Sequence, residues 1–323
     1  MLSPPGADQI EINVFGPGYD ESCAIHLGSG KWIIIDSCID TTSKRPASLA
    51  YLRDVAVDPS TSVLLVIATH WHDDHIRGLA QVVRECKSAA ICLSAALGRK
   101  EFLEAVAAFN QRSGITAGSG VSELAEIYAY LAQSGKHATR ALANRLLLSV
   151  PGTTLNHSLP CGVWSLSPSD KQFDLSIAAI GNLLPAVKTT KHRMPDQTPN
   201  HLSVVTWIRL GDLAILMGAD LEEVGDPDLG WSAIVGNASR PSGRAAIFKI
   251  PHHGSITGHH PLVWTELLDQ SPITMLTPWN RGGGLPTVTD VERISQLSGT
   301  SLSTSKFLGG RVRRKRIVSP GVV

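Results

Sequence analysis

The switch from apolar to polar positions is sharpest over residues 63–78, which read VLLVIATHWHDDHIRG. Val63, Leu64, Leu65, Val66 and Ile67 form a run with no polar break, so the pattern predicts a strand covered on both faces, not one with a wet side. The run stops at Thr69, and the segment HWHDDH follows at once, with His70, His72, Asp74 and His75 as candidate ligands. Upstream, residues 10–14 alternate as a first strand before the turn GPGYDES. Residues 23–27 and 32–35 then pair as a hairpin across Gly28-Ser29-Gly30, ending in Asp36-Ser37-Cys38. Residues 43–57 carry Leu49, Tyr51, Leu52 and Val55 at helical spacing, and residues 76–85 place Leu79, Val82 and Val83 on one helical face. Arg77 and Gly78 open that second helix, whose amino terminus would favour an anion such as a substrate phosphate.

The pattern changes after residue 89. Residues 89–93 predict a short strand, and 101–109, 121–132 and 138–148 predict three amphipathic helices rich in Ala and Leu. Together they read as a helical insertion over about residues 98–150, able to cover a site, to form a dimer surface or to serve as a packing layer. Residues 163–168 predict a strand, and Ser169-Asp170 caps a helix through Leu175, Ile177, Ile180, Leu183 and Leu184. A polar, proline-interrupted loop leads to Asn200-His201. Residues 202–210 and 213–217 flank the turn Gly211-Asp212, and the second strand ends in Gly218-Ala219-Asp220. A third apolar strand, from Ala245, ends in Pro251-His252-His253-Gly254-Ser255. A helix over 262–268, a strand over 273–277 and a helix over 287–297, which Thr289 and Asp290 could cap, complete the series. Strands alternating with helices define an α/β chain.

Composition narrows the class. With 323 residues, 43% hydrophobic and 18% charged, the chain has the balance of a soluble globular protein. One domain over 1–323 is the expected count, because no repeat, low-complexity tract or linker interrupts it. The net charge of +1 supplies no global field toward nucleic acid or an anionic membrane. The one dense basic run, RVRRKR at residues 311–316, lies in a basic tail over 306–323; it suits phosphate backbones or a solvated end. The start carries no basic segment leading into an apolar one, no run is long enough to cross a bilayer, and the five cysteines include no Cys-x-x-Cys pair. The expectation is a cytoplasmic protein with reduced thiols and no membrane partner.

The chemistry concentrates at strand ends. His70 and His72 point the same way from an extended segment, whereas Asp74 and His75 lie past the turn and can face a second position. Imidazoles with a carboxylate suit zinc or another first-row divalent ion, and two clusters this close invite two ions. A lone histidine at a strand end is most often a satisfied imidazole without a ligand role, but three within six residues beside an Asp are poorly explained that way. His157 is a further candidate, set aside because it lies on no strand pair.

The HxHxDH string resembles the signature of the metallo-β-lactamase fold hydrolases. The later Lys-x-Pro-His-His-Gly-Ser resembles the branch that includes the hydrolase domain of the competence DNA-uptake channel and the choline-binding phosphodiesterase of the pneumococcal type. The resemblance implies an αββα sandwich and two divalent ions, Zn2+ or alternatively Mn2+. It implies that His70, His72 and His201 hold one ion and Asp74, His75 and His253 the other, with Asp220 and a water or hydroxide between them. Asp36 would stand beneath the metals, orienting a ligand; a strand-end Asp that caps a turn is the plainer reading. By the same resemblance His253 is the ligand and His252 faces substrate, although the reverse assignment stays open. Asp74 or His252 would manage the proton. Lys249, Ser255 and Thr257 are candidate substrate contacts, each with an ordinary structural alternative.

The implied activity is dinuclear metal-dependent hydrolysis of phosphodiesters, with nucleic acid as the favoured substrate and a nuclease as the expected enzyme. The fold also supports hydrolysis of lactones, lactams or small phosphodiesters. A third possibility is a metal-stabilised regulatory or binding module in a complex or homodimer formed through the helical insertion.

Overall fold

The computed structural model describes residues 2–16, 20–98, 102, 120–152, 159–189, 198–281 and 284–304. Strands β1 (Glu11–Phe15), β2 (Ser22–Gly28) and β3 (Lys31–Ile35) form an antiparallel meander. Helix α1 (Ala47–Asp54) and the short α2 (Pro59–Ser62) bring the chain back as β4 (Val63–Ala68), parallel to β3. The turn α3 (Asp73–Ile76) and helix α4 (Leu79–Glu85) lead to β5 (Ala90–Ser94), and helix α5 (Gly120–Ser134) leads to β6 (Ala138–Ala141). These strands form one sheet of six, in the order β1-β2-β3-β4-β5-β6.

The second sheet holds β7 (Arg145–Val150), β8 (Cys161–Ser165), β9 (Thr206–Leu210), β10 (Leu213–Met217), β11 (Ala245–Lys249), β12 (Leu268–Leu276) and β13 (Thr300–Ser303). Its order is β13-β12-β11-β10-β9-β8-β7, antiparallel from β7 to β10 and parallel from β10 to β13. Between these strands run α6 (Asp170–Thr189), the single turn α7 (Thr198–His201), α8 (Gly230–Gly236) and α9 (Val288–Leu297). Among the described residues, no helix is long and apolar enough to cross a membrane.

Strand parity builds the layers. Ile33, Ile35, Leu65 and Ile67 point into a core shared with Val163, Ile208, Ile215 and Ile247 of the other sheet. Their sequence neighbours Trp32, Ile34 and Val66 point the opposite way and pack under Leu52, Leu79, Val83, Leu124 and Ile127 of α1, α4 and α5. On the far side, Trp207, Leu216 and Phe248 pack against Trp231, Val263 and Ile294. Helices therefore cover both outer faces of two stacked sheets, which is the expected αββα sandwich. Double coverage is also why β4 carries no polar position.

Three expectations are corrected. Residues 138–148 are not a helix but strands β6 and β7, because Ala138–Ala141 completes the ladder beside β5 and Leu148 packs toward the inter-sheet core. Good helix formers yield here to sheet partners that the local sequence does not reveal. The strand expected from Leu202 begins at Thr206, since α7 carries the chain as far as His201. Residues 263–267 form a single π-helical turn, with β12 starting at Leu268. Of the helix expected over 101–109, only residue 102 is described, and the basic tail lies outside the described residues.

The amino terminus of α4 is not open to an anion either. Glu123 of α5 accepts the Gly78 and Ala80 amides at 2.9 and 3.0 Å, and so supplies the negative charge that position favours. Asp73 in turn accepts the Gly120 amide at 2.7 Å. Gly120 must be glycine, because a Cβ there would lie 2.0 Å from the Trp71 carbonyl oxygen. Helix α5 is thereby keyed to the polar turn after β4. Replacing Glu123 with Ala strands two amides and should cost about 1–3 kcal/mol, read as a lower urea midpoint with an unchanged m-value.

Candidate metal centre

The polar residues gather where strands of both sheets end. Asp36 follows β3, Thr69 and His70 follow β4, Asp220 follows β10, and His253 lies just past β11. The loops after β10 and β11 are locked together: the Gly218 amide donates to Lys249 O at 3.1 Å and the His252 amide to Ala219 O at 3.0 Å. Asp36, Ala219, His252 and His253 all adopt left-handed backbone, φ between 46° and 58°. Such conformations cost about 1–3 kcal/mol each, and here they turn side chains back toward one point.

At that point stand Asp74, His75, Asp220 and His253, all buried, with one ligand atom from each lying within 4.8 Å of the others. His75 Nε2 is 3.3 Å from Asp220 Oδ1 and 3.5 Å from Asp74 Oδ2. His253 Nε2 is 3.1 Å from Asp74 Oδ2 and 3.5 Å from Asp220 Oδ2. The His70 ring adjoins His75 at 4.4 Å and His72 at 5.0 Å between centroids.

Hydrogen bonds on the far side of each ring fix which nitrogen faces inward. The Thr69 hydroxyl donates to Asp36 Oδ2 at 2.6 Å, so its lone pair is left to accept His70 Nδ1–H at 2.9 Å. His75 Nδ1 donates to Asp36 Oδ2 at 2.8 Å, and His253 Nδ1 donates to Thr277 O at 2.9 Å. All three imidazoles therefore present Nε2 inward. His70 Nε2, His75 Nε2 and Asp220 Oδ1 are buried without a hydrogen-bond partner. Three bare atoms of this kind, beside a second carboxylate, fit a divalent cation. Asp36 also lies within reach of His70 and His75, but its oxygens are taken by Thr69 and His75, so it orients ligands instead of supplying one.

Electrostatics agree. Burial and the neighbouring His75 and His72 hold His70 well below the usual imidazole range. Burial pulls His75 and His253 down as well, but the carboxylates outweigh it: Asp220 then Asp74 lift His75 well above its usual range, and Asp220 with the Asp74 hydrogen bond lifts His253. Burial opposes ionisation of Asp74 and Asp220, yet His75 keeps both below the ordinary carboxylate range. Asp20 is different: burial pushes its carboxyl up to about 6 against the pull of Arg77.

The remaining candidates fall elsewhere. His201 stays out of the cluster; it is half-buried on α7 with Nε2 3.5 Å from Glu222 Oε2. Glu222 also accepts Asn200 Nδ2 at 3.1 Å and lies 3.0 Å from His252 Nδ1. His252 Nδ1 is 2.7 Å from Thr257 Oγ1, so the hydroxyl of the exposed Thr257 is engaged with His252. Ser255 Oγ accepts the Thr257 amide and caps a turn. Lys249, a candidate substrate contact, is 1% exposed and paired with Glu21, so it cannot reach one. Among the described residues, neither ligand group includes His72 or His201, and His157 lies outside them. No local pattern in the sequence distinguishes Glu21, Glu222 and Thr277 from ordinary capping or strand-end residues.

The sandwich with its strand-end cluster is the metallo-β-lactamase fold. Residues 20–113, which run from Asp20 through the HxHxDH turn, match the metallo-beta-lactamase superfamily model. Among solved structures, the chain is similar to a metallo-beta-lactamase from Cronobacter sakazakii, at 12% identity over 73% of this chain and 75% of that one, TM-score 0.40. It is also similar to the metallo-beta-lactamase fold protein YhfI from Bacillus subtilis, at 12% identity over 75% and 70%, TM-score 0.36. A third is the short form of human tRNase Z, at 11% identity over 75% and 76%, TM-score 0.36. No curated protein matches the chain.

Because His75 and His253 are held protonated by Asp220 and Asp74, a metal must displace their protons. Affinity for Zn2+ should therefore rise with pH up to the raised imidazole range and level off above it, with protons released on binding. Calorimetry in buffers of different ionisation enthalpy measures both, and a pH-independent affinity would contradict the assignment.

Proposed function

We propose that this protein is a divalent-metal-dependent hydrolase that cleaves phosphodiester bonds, with nucleic acid as its preferred substrate and zinc as its metal. The observation that carries the reading is the convergence of inward Nε2 atoms from His75 and His253 on Asp74 and Asp220, with the His70 ring beside His75, at an edge built by both sheets. Asp74, His75 and His253 would hold one ion with Asp220 shared, and the family resemblance assigns His70 and His72, whose rings adjoin, to a second. A cation held by these residues would supply Lewis acidity for a hydrolytic water and for the phosphoryl oxygens.

The chain's own residues account for the rest. Asp36 and Thr69 keep His75 and His70 in the ligand tautomer. His252 stands at the rim, 19% exposed at its side chain, with Nδ1 held between Glu222 and Thr257 and Nε2 3.3 Å from Asn200 Nδ2. Asn200 Nδ2–H donates to Nε2, so the ring is held on both sides, and the Lys-x-Pro-His-His-Gly-Ser resemblance is what turns His252 toward the substrate. The Lys249-to-Ser255 resemblance supports a phosphodiester over the other esters and amides this fold can host.

The purified protein with Zn2+ or Mn2+ should cleave DNA, RNA or a bis-aryl phosphate, and chelation should abolish the cleavage. Asp220→Ala and His70→Ala should each lower turnover by at least about 100-fold, whereas His252→Asn should lower turnover with the metal retained. Metal uptake together with hydrolysis of a lactone or β-lactam, and of no phosphodiester, would sink the substrate assignment.

A further inference from the structure

Glu21 and Lys249 form a buried ion pair that the reaction outlined above does not use, 4% and 1% exposed respectively. An isolated pair in the interior contributes little to stability, since desolvation offsets most of the attraction. Its connections are more informative. The Glu21 amide donates to Asp74 O at 2.7 Å. The carboxylate of Glu21 accepts the Thr277 hydroxyl as well as the Lys249 ammonium, both on Oε2. Thr277 O then accepts His253 Nδ1–H at 2.9 Å.

One residue thus touches both sides of the ligand cluster. Through its main chain Glu21 holds the loop of Asp74, which follows the first sheet; through its side chain it holds Thr277 and Lys249, which end β12 and β11 of the second. Asp74 and His253 face each other at 3.1 Å across that seam. Packing around the joint is close: a Cβ on Gly16 would lie 2.7 Å from Thr277 Cγ2 and from Asp20 O. A small cavity bordered by Glu21, Asp36, Thr69 and Lys249 puts this pair and the Asp36 network on the same buried side of the ligands.

We infer that Lys249, Glu21 and Thr277 are positioning residues for one of the two ions, a charged staple that sets the distance between Asp74 and His253 and fixes the His253 tautomer. The inference rests on reading the four-residue cluster as a metal site. Lys249 supplies the counter-charge that keeps Glu21 an acceptor, Glu21 anchors Thr277, and the Thr277 carbonyl aims His253. Asp36 plays the matching part for His75 from the other sheet, so each half of the sandwich carries its own orienting carboxylate.

The test is a competition titration with Zn2+ and an absorption titration with Co2+ on the full chain. Thr277→Val removes the hydroxyl without changing shape, and should weaken one metal equivalent by about 10–100-fold while leaving the other unchanged. Thr277→Ser, which keeps the hydroxyl, should restore it. The double variant Glu21→Leu/Lys249→Met replaces the pair by apolar groups that such sites tolerate, and should weaken the same equivalent, so the question stays decidable if Thr277→Val fails to fold. Folded variants that bind both equivalents as the wild type does, or equal weakening of both equivalents, would overturn the positioning role while leaving the metal site intact. A wild-type chain that takes up no ion in the same titration would overturn the metal reading and this inference with it.

Discussion

A buried histidine can serve a cation through one nitrogen only when something else occupies the other, and this constraint governs the site. Asp36 meets it for His75 directly and for His70 through the Thr69 hydroxyl; Thr277 O meets it for His253. Without these acceptors, each ring could flip or change tautomer, and Nε2 would no longer be set toward Asp74 and Asp220. The fixed tautomers and the left-handed backbone at Asp36, Ala219, His252 and His253 are two parts of one arrangement. Backbone strain of a few kcal/mol is held by packed strands on either side, which is where such strain is tolerated.

The sandwich makes this possible because both sheets end their central strands at the same edge. β3, β4, β10 and β11 each deliver a residue there, and helices on both outer faces leave the strands free to be apolar throughout. Helix α5 adds a second level of order. Its Glu123 fills the amino terminus of α4 and its first residue binds Asp73, so it is tied to the polar turn that carries His72 to His75. The negative charge that the α4 terminus favours is supplied from within the chain.

Beside the cluster lies a second polar group, in which Glu222 gathers Asn200, His201 and His252. His201 belongs to this group because α7 carries it away from the start of the hairpin. The two groups differ in burial: Asp220, His75 and His253 are closed off, whereas His201, Glu222 and His252 retain access to solvent.

The sequence alone determined the apolar strands that end in polar clusters, the α/β alternation and the helix that follows the HxHxDH turn, because each depends on a local period or on abrupt changes from apolar to polar; the αββα layering came from the family resemblance. The tertiary structure decided what depends on pairing between distant segments. It turned residues 138–148 into edge strands, assigned Glu123 to the α4 terminus, separated His201 from the ligands, and joined Glu21 to Lys249 and Thr277 across a separation of more than 200 positions. No local pattern encodes those choices. Which carboxylate meets which cation or hydroxyl in the interior is set only when two sheets close on each other, and burial leaves each polar group no partner but the one it finds there.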